Sequence, residues 1–178
     1  MTRPKLLGIS GSLRAEATNS RLLAEAARLF GDADYTLADI RFPLFDADDE
    51  NATGMPEAVE KVVRQIAEAD AVIISTPEYN KGPSGALKNA LDWISRSKEK
   101  PWAGKPVAVM SASSGRAGGE RAQMILRSFM VPFRPVILQG PEIHLANSAK
   151  EFDEDGRLTG ELYVKELTTL MQSLRALI

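Results

Sequence analysis

The chain has 178 residues, 44% of them hydrophobic and 26% charged, with a net charge of -2. That length and apolar content suit one packed domain over residues 1–178, and basic residues scattered along a slightly acidic chain leave no footprint for a nucleic acid. With no cysteine and a single histidine, a disulfide framework, a thiol nucleophile and a Cys- or His-rich metal site are excluded, so the chemistry is expected from a bound cofactor.

Met1-Thr2-Arg3-Pro4-Lys5 leads directly into Leu6-Leu7-Gly8-Ile9-Ser10. This apolar run is too short for a signal peptide or a membrane span, and a cytoplasmic protein with no membrane partner is the expectation. Lys5–Ser10 is predicted as a strand, Asn19–Phe30 as a helix, Asp34–Ile40 as a strand and Met55–Ala69 as a helix. Ala71–Ser75 is a continuous apolar run of the kind covered on both faces in a parallel sheet, and Thr76-Pro77 ends it. Ser84–Ser97 is predicted as a helix with Leu87, Leu91 and Ile94 on one stripe. A strand over Pro106–Ser111, a helix over Gly119–Met130, a strand over Arg134–Leu138 and a closing helix over Leu158–Leu177 complete the pattern. Arg41–Gly54, acidic at Asp46–Glu50, and Gln139–Gly156 read as irregular. The alternation predicts an α/β three-layer sandwich, with right-handed crossovers around a parallel sheet and helices on both faces. Five strands with no sixth favour the flavodoxin-like order 2-1-3-4-5.

In such a sheet, ligands collect outside the carboxyl ends of the strands. Three loops matter there. The first, Ser10 to Ser20, offers hydroxyls, an amide, free backbone N–H groups and the Arg14 guanidinium at a helix N-terminus, which together suit a phosphate monoester. The same residues would also serve as plain helix caps with Arg14 in solvent. Neither G-x-x-x-x-G-K-[ST] nor G-x-G-x-x-G is present. Gly8-Ile9-Ser10-Gly11-Ser12 approaches the nucleophile elbow of hydrolases, but Ser12 stands where the strained turn needs glycine and His144 is the sole available base. The second loop, Pro77 to Gly85, and the third, Ser111 to Glu120, are built for backbone donation; with Tyr79 between them they could clasp a planar heteroaromatic ring. The helix after Gly119 would then favour negative charge on the near edge of that ring.

Gly11-Ser12-Leu13-Arg14 with Asn19, Pro77-Glu78-Tyr79-Asn80 followed by Leu87-Lys88-Asn89-Ala90-Leu91-Asp92-Trp93, and the Gly115 to Gly119 loop resemble the NADPH-dependent FMN reductases, in particular their quinone, chromate and ferric-complex reductases. The resemblance covers nearly the whole chain. It implies that Ser10, Ser12, Arg14, Asn19 and Ser20 hold the FMN phosphate. Pro77, Glu78, Tyr79, Asn80, Lys81 and Gly82 would hold the ring edge, and Ser113, Ser114, Gly115 and Gly118 would close the other side. Two departures stand out: Ala17 takes the place of a family serine, with Thr18 beside it as a substitute, and Pro83 falls one position earlier than the usual loop proline.

The implied activity is NAD(P)H:acceptor oxidoreduction, with hydride passing from NADPH or NADH to flavin N5 and then to a small-molecule electron acceptor such as a quinone, chromate or a ferric complex. FMN carries the chemistry, so no catalytic side chain is expected, and Lys81, Arg96 and Arg116 are candidate clamps for anionic groups. A flavodoxin-like one-electron carrier without a substrate of its own is the alternative; the basic character that Arg14, Lys81 and Arg116 give the loops favours the reductase. A flavin-free interaction domain on the same fold is a third reading. Ala86, Ala90 and Trp93 lie off the core stripe of Ser84–Ser97 and predict a homodimer, and the resemblance adds a possible tetramer; otherwise Trp93 would pack beneath Lys98–Gly104.

Overall fold

The structure, a computed structural model, describes residues 2–178. A parallel sheet with the order β2-β1-β3-β4-β5 is built from β1 (Lys5–Ser10), β2 (Asp34–Ala38), β3 (Ala71–Thr76), β4 (Pro106–Ala112) and β5 (Val136–Ile137). This is the predicted order. The fifth position is split, however. β5 pairs only with Pro106 and Val107 of β4, the chain leaves the sheet through Gln139-Gly140-Pro141, and it returns as β6 (Ile143–Leu145) beside Met110–Ala112 of the same strand. The expected strand over Arg134–Leu138 is thus reduced to two residues, and a sixth strand that the sequence did not suggest arises in the stretch read as irregular, with Pro141, which has no N–H to give a ladder, between them.

Strand pleating sorts the core. In β3, Val72 and Ile74 face a layer made by α3 (Glu57–Glu68), α4 (Gly85–Ser95) and α5 (Glu120–Met130), whereas Ala71 and Ile73 face α1 (Thr18–Phe30) and α6 (Glu161–Arg175). All six side chains of β3 are buried, as its unbroken apolar run requires of a central strand. The remaining helix, α2 (Ala47–Thr53), lies in the stretch read as irregular, where the Asp46 carboxylate accepts from the Asp48 N–H and caps a turn the acidic run disguised.

α4 corrects two expectations. Trp93 is 2% exposed, its indole N–H donates to the Pro43 carbonyl at 2.8 Å, and its ring meets Phe45 edge-on. One turn earlier Asn89 bonds the Pro43 carbonyl and the Phe45 N–H, and one turn later Arg96 pairs with Glu50 at 2.8 Å. The stripe Asn89, Trp93, Arg96 therefore fastens the chain's own 41–50 segment. It neither offers Trp93 to a second subunit nor leaves Arg96 free as a clamp, and Trp93 does not pack beneath Lys98–Gly104 either.

Among the described residues the only buried charged side chain is Glu25 on α1. Two bonds from Arg28, at 2.7 and 2.9 Å, hold its carboxyl below the usual value of 4.5 against the opposing effect of burial, and Arg157 helps from 3.3 Å. A depressed folded-state pKa adds stability above the unfolded value that is lost as pH falls through the folded one. Glu25→Gln should thus lower stability at neutral pH and flatten its decline below about pH 4.5, as read by urea melts across that range.

Candidate functional site

The loops that follow β1, β3 and β4 meet at the carboxyl edge of the sheet. They enclose a hollow of about 170 Å³ lined by Ser12, Arg14 and Thr18 from the first loop, Pro77, Glu78 and Tyr79 from the second, and Ser113 and Ser114 from the third. A second hollow of about 340 Å³ shares Ser12, Arg14 and Tyr79 and opens toward Ser84 and Gly85. The juxtaposition expected from the sequence is present.

The first loop ends at α1, which begins without a side-chain cap and without an acidic residue in its first turn. Among the described residues the backbone N–H groups of Thr18 and Asn19 make no hydrogen bond, and Arg14 is exposed with no ion pair. Open N–H groups, the helix dipole and a free guanidinium border the same hollow, which is the composition of an anion site. The other predicted phosphate ligands have different roles. The Ser10 hydroxyl donates to the Ser12 carbonyl, and accepts from the Ser12 N–H and the Ser20 hydroxyl, so both Ser10 and Ser20 lie beneath the loop. Asn19 is 3% exposed; its amide donates to the Ala112 carbonyl and its oxygen accepts from the Ala112 N–H and the Ser75 hydroxyl. Asn19 lines the hollow, but its side-chain polar atoms are taken up in joining α1 to the ends of β3 and β4.

In the second loop Tyr79 and Gly82 exchange backbone bonds at 2.9 and 3.1 Å, and Asn80 and Lys81 between them have φ of 50 and 71°. This is a two-residue turn of the I′ kind, which holds a lysine in the left-handed region at a cost of about 1–2 kcal/mol. The turn lifts Asn80, Lys81 and Gly82 out of the hollow and leaves Tyr79 52% exposed beside it. Glu78 lines the hollow and reaches from it to α5. Its carboxylate accepts from the Ala122 N–H at 3.3 Å and caps α5, whose own N-cap is Gly119. The α5 N-terminus therefore already carries a negative partner, and the expectation that it would favour negative charge on a ring is corrected.

The third loop turns back through Gly118, where φ is +61° and an added Cβ would lie 2.2 Å from the His144 carbonyl oxygen. The Gly118 carbonyl accepts from the buried Ser111 hydroxyl at 2.6 Å, which in turn accepts from Gln123. Gly118 thus serves the fold of the loop, while Gly115 has no such constraint: its nearest neighbour to an added Cβ is the Ser113 hydroxyl at 3.6 Å. A strap from Leu145 to Lys150, unrecognised in the sequence, closes the side of the site. The Leu145 carbonyl accepts from the Ser113 N–H, the Ser148 N–H donates to the Ser113 carbonyl, and the Ser148 hydroxyl meets that of Thr18 at 2.9 Å. Arg41 was also missed; it donates to the Leu13 carbonyl at 2.7 Å and braces the first loop from outside.

A hydrolytic reading does not survive this geometry. Ser10 on β1 and His144 on β6 are separated by β3 and β4, three strand spacings or about 14 Å, so no base can reach that hydroxyl.

The family model of NADPH-dependent FMN reductases matches residues 4–150. An NAD(P)H-dependent FMN reductase of Pseudomonas aeruginosa is 44% identical over 97% of this chain and 92% of its own length. A 2-hydroxy-1,4-benzoquinone reductase of a Burkholderia species is 35% identical over 97% and 94%. Among solved structures, the flavoenzyme NAD(P)H:(acceptor) oxidoreductase FerB of Paracoccus denitrificans superposes with a TM-score of 0.86 at 30% identity, covering 97% of this chain and 96% of that one. With a family match over most of its residues and 44% identity to one such enzyme over nearly its full length, the chain belongs to the NADPH-dependent FMN reductase family.

Proposed function

We propose that this protein is an FMN-dependent NAD(P)H:acceptor oxidoreductase acting on quinone-type acceptors, with the hollow between the three loops as its flavin site. The observation that carries the reading is the division of labour in that hollow. At one end stand the uncapped N-terminus of α1 and the unpaired Arg14, suited to a phosphate dianion; at the other stand the exposed Tyr79 face and the backbone of Ser113 and Ser114, suited to a flat ring. The residues present thus fit FMN.

FMN when bound supplies two-electron acceptance from a nicotinamide and donation to an acceptor. The chain supplies position. Arg14 and the Thr18 and Asn19 N–H groups would anchor the phosphate, Ser12 would flank it, and the Tyr79 turn would set the edge along which donor and acceptor in turn approach. Asn19, Ser10, Ser20 and Gly118 hold these groups in place. The quinone acceptor is supported by the relatives. Chromate or ferric complexes as further acceptors, and the cytoplasm as location, are extensions of the same reading; no helix among the described residues is long and apolar enough to cross a membrane.

Arg14→Ala should weaken FMN binding by about ten- to hundredfold, the worth of a charge-assisted hydrogen bond of about 1.5–3 kcal/mol, without lowering the melting temperature of the FMN-free protein. Quenching of FMN fluorescence measures it, and undiminished affinity would refute the phosphate assignment. A visible flavin spectrum that bleaches on anaerobic NAD(P)H addition tests the activity; a protein that takes up no FMN ends the proposal.

A homodimer belongs to the proposal on new grounds. Met124 and Val131, 63% and 71% exposed, stand with Ser128 on one outward stripe of α5 and its extension. The stripe adjoins a hollow of about 590 Å³ lined by Leu91, Trp102, Phe129 and Phe133. A second copy covering this face would remove that apolar surface from water. Sedimentation equilibrium should give twice the chain mass of 19.4 kDa, and a single-chain mass would remove the dimer.

A further inference from the structure

Two helix N-termini meet residues of the hollow, α1 directly and α5 through Glu78, and they are treated in opposite ways. That of α1 is open, with no cap and no acid in its first turn. That of α5 receives the Glu78 carboxylate from 44 residues away and carries Glu120 at its first position. Glu78 lines the same hollow as Tyr79 and Ser113, and its Cβ lies 3.9 Å from where a Gly119 side chain would begin, so the carboxylate is wedged between the second and third loops. It is the sole acid of the second loop, whose next charged residue, Lys81, is turned outward.

We propose that Glu78 is a positioning residue with an electrostatic role, in which its carboxylate clamps the tyrosine loop onto α5 and, by cancelling the positive end of that helix, lowers the two-electron potential of the flavin held between the loops. The inference rests on the flavin reading of the site. Reduction at neutral pH adds negative charge to the ring, so whatever sits at the α5 N-terminus biases the oxidised against the reduced cofactor. An open helix end would favour the reduced form, and a carboxylate placed there disfavours it. A unit charge retains a tenfold effect on such a balance at about 12 Å in an effective dielectric of about 20, so the carboxylate need not touch the ring. The α1 end, left positive, is reserved for the phosphate, whose charge does not change in the reaction.

Glu78→Gln separates the clamp from the charge, because the amide oxygen still accepts from the Ala122 N–H while the negative charge is gone. Dissociation constants for oxidised FMN, and the midpoint potential of the bound flavin against a reference dye, are measured for the wild type, Glu78→Gln and Glu78→Ala. The expected result for Glu78→Gln is near-unchanged affinity for oxidised FMN with the reduced form bound about tenfold more tightly, a potential about 30 mV more positive. Glu78→Ala should shift the potential the same way and also weaken binding of the oxidised form, since the clamp is lost as well. Either variant that folds carries the test. A wild-type potential in a folded, FMN-binding variant would overturn the electrostatic role and leave Glu78 a helix cap, whereas failure of the wild type to bind FMN would overturn the flavin reading and this inference with it.

Discussion

Replacing Gly118 with alanine should destabilise the protein by about 3 kcal/mol or more, whereas the same change at Gly115, three residues earlier in one loop, should stay within about 0.5 kcal/mol. The difference is backbone geometry. At Gly118 an L side chain must adopt a φ of +61° and place its Cβ 2.2 Å from the His144 carbonyl oxygen, a main-chain atom with no rotamer to escape into. The left-handed conformation alone costs about 1–2 kcal/mol, and relief of the contact must displace either β6 or the Gly118 peptide held by Ser111 and Gln123. Any such shift unpairs a buried polar group at about 1–3 kcal/mol. Urea denaturation of the FMN-free proteins reads both variants. FMN titration should then reverse the sensitivity: Gly115→Ala, nearly silent in stability, should bind FMN more weakly if that residue lies against the ring, and unchanged binding there would place the ring elsewhere.

The contrast shows how far the loops could be read from sequence. A glycine announces that the chain needs space but not what will fill it: at Gly118 it is the strand β6, at Gly115 it is open. The alternating apolar runs gave away β1, β3 and β4 to within a residue because a strand buried on both faces has no other way to be written. The edge was harder. β6 is three residues long and shares its hydrogen bonds with one neighbour, so Ile143–Leu145 leaves a pattern too short to distinguish from loop, and the strap beyond it vanished with it. The same brevity hid α2. Among site residues, the hydroxyls and amides of the first loop were recognised as polar groups at a helix start, yet side-chain type does not say whether a polar group faces a ligand or a neighbouring strand end. Asn89 and Trp93 posed this problem in reverse: an aromatic off the core stripe looked like a surface for a partner, when the partner was the chain's own Pro43 and Phe45.

Asn19 decides whether the scaffold reading of the first loop is right. Asn19→Ala should cost about 3–5 kcal/mol, because one truncation leaves the Ala112 N–H, the Ala112 carbonyl and the Ser75 hydroxyl without their partner in a site closed to water. Those atoms belong to the last residues of β3 and β4, so the loss is felt where the second and third loops depart, and FMN binding should fall together with stability. Arg14→Ala makes the opposite pair of changes, with binding reduced and stability kept, since its exposed guanidinium holds no partner among the described residues. Asn19→Asp refines the point. Its carboxylate keeps an oxygen for the Ser75 hydroxyl and the Ala112 N–H but turns the other toward the Ala112 carbonyl, replacing an attraction at 3.0 Å by a repulsion, and it also adds charge beside the phosphate end of α1. A scaffold role requires the aspartate to be destabilised even without FMN. If both Asn19 variants melted like the wild type and differed only in FMN affinity, the amide would be a ligand after all and the tie between α1 and the strand ends would carry no weight.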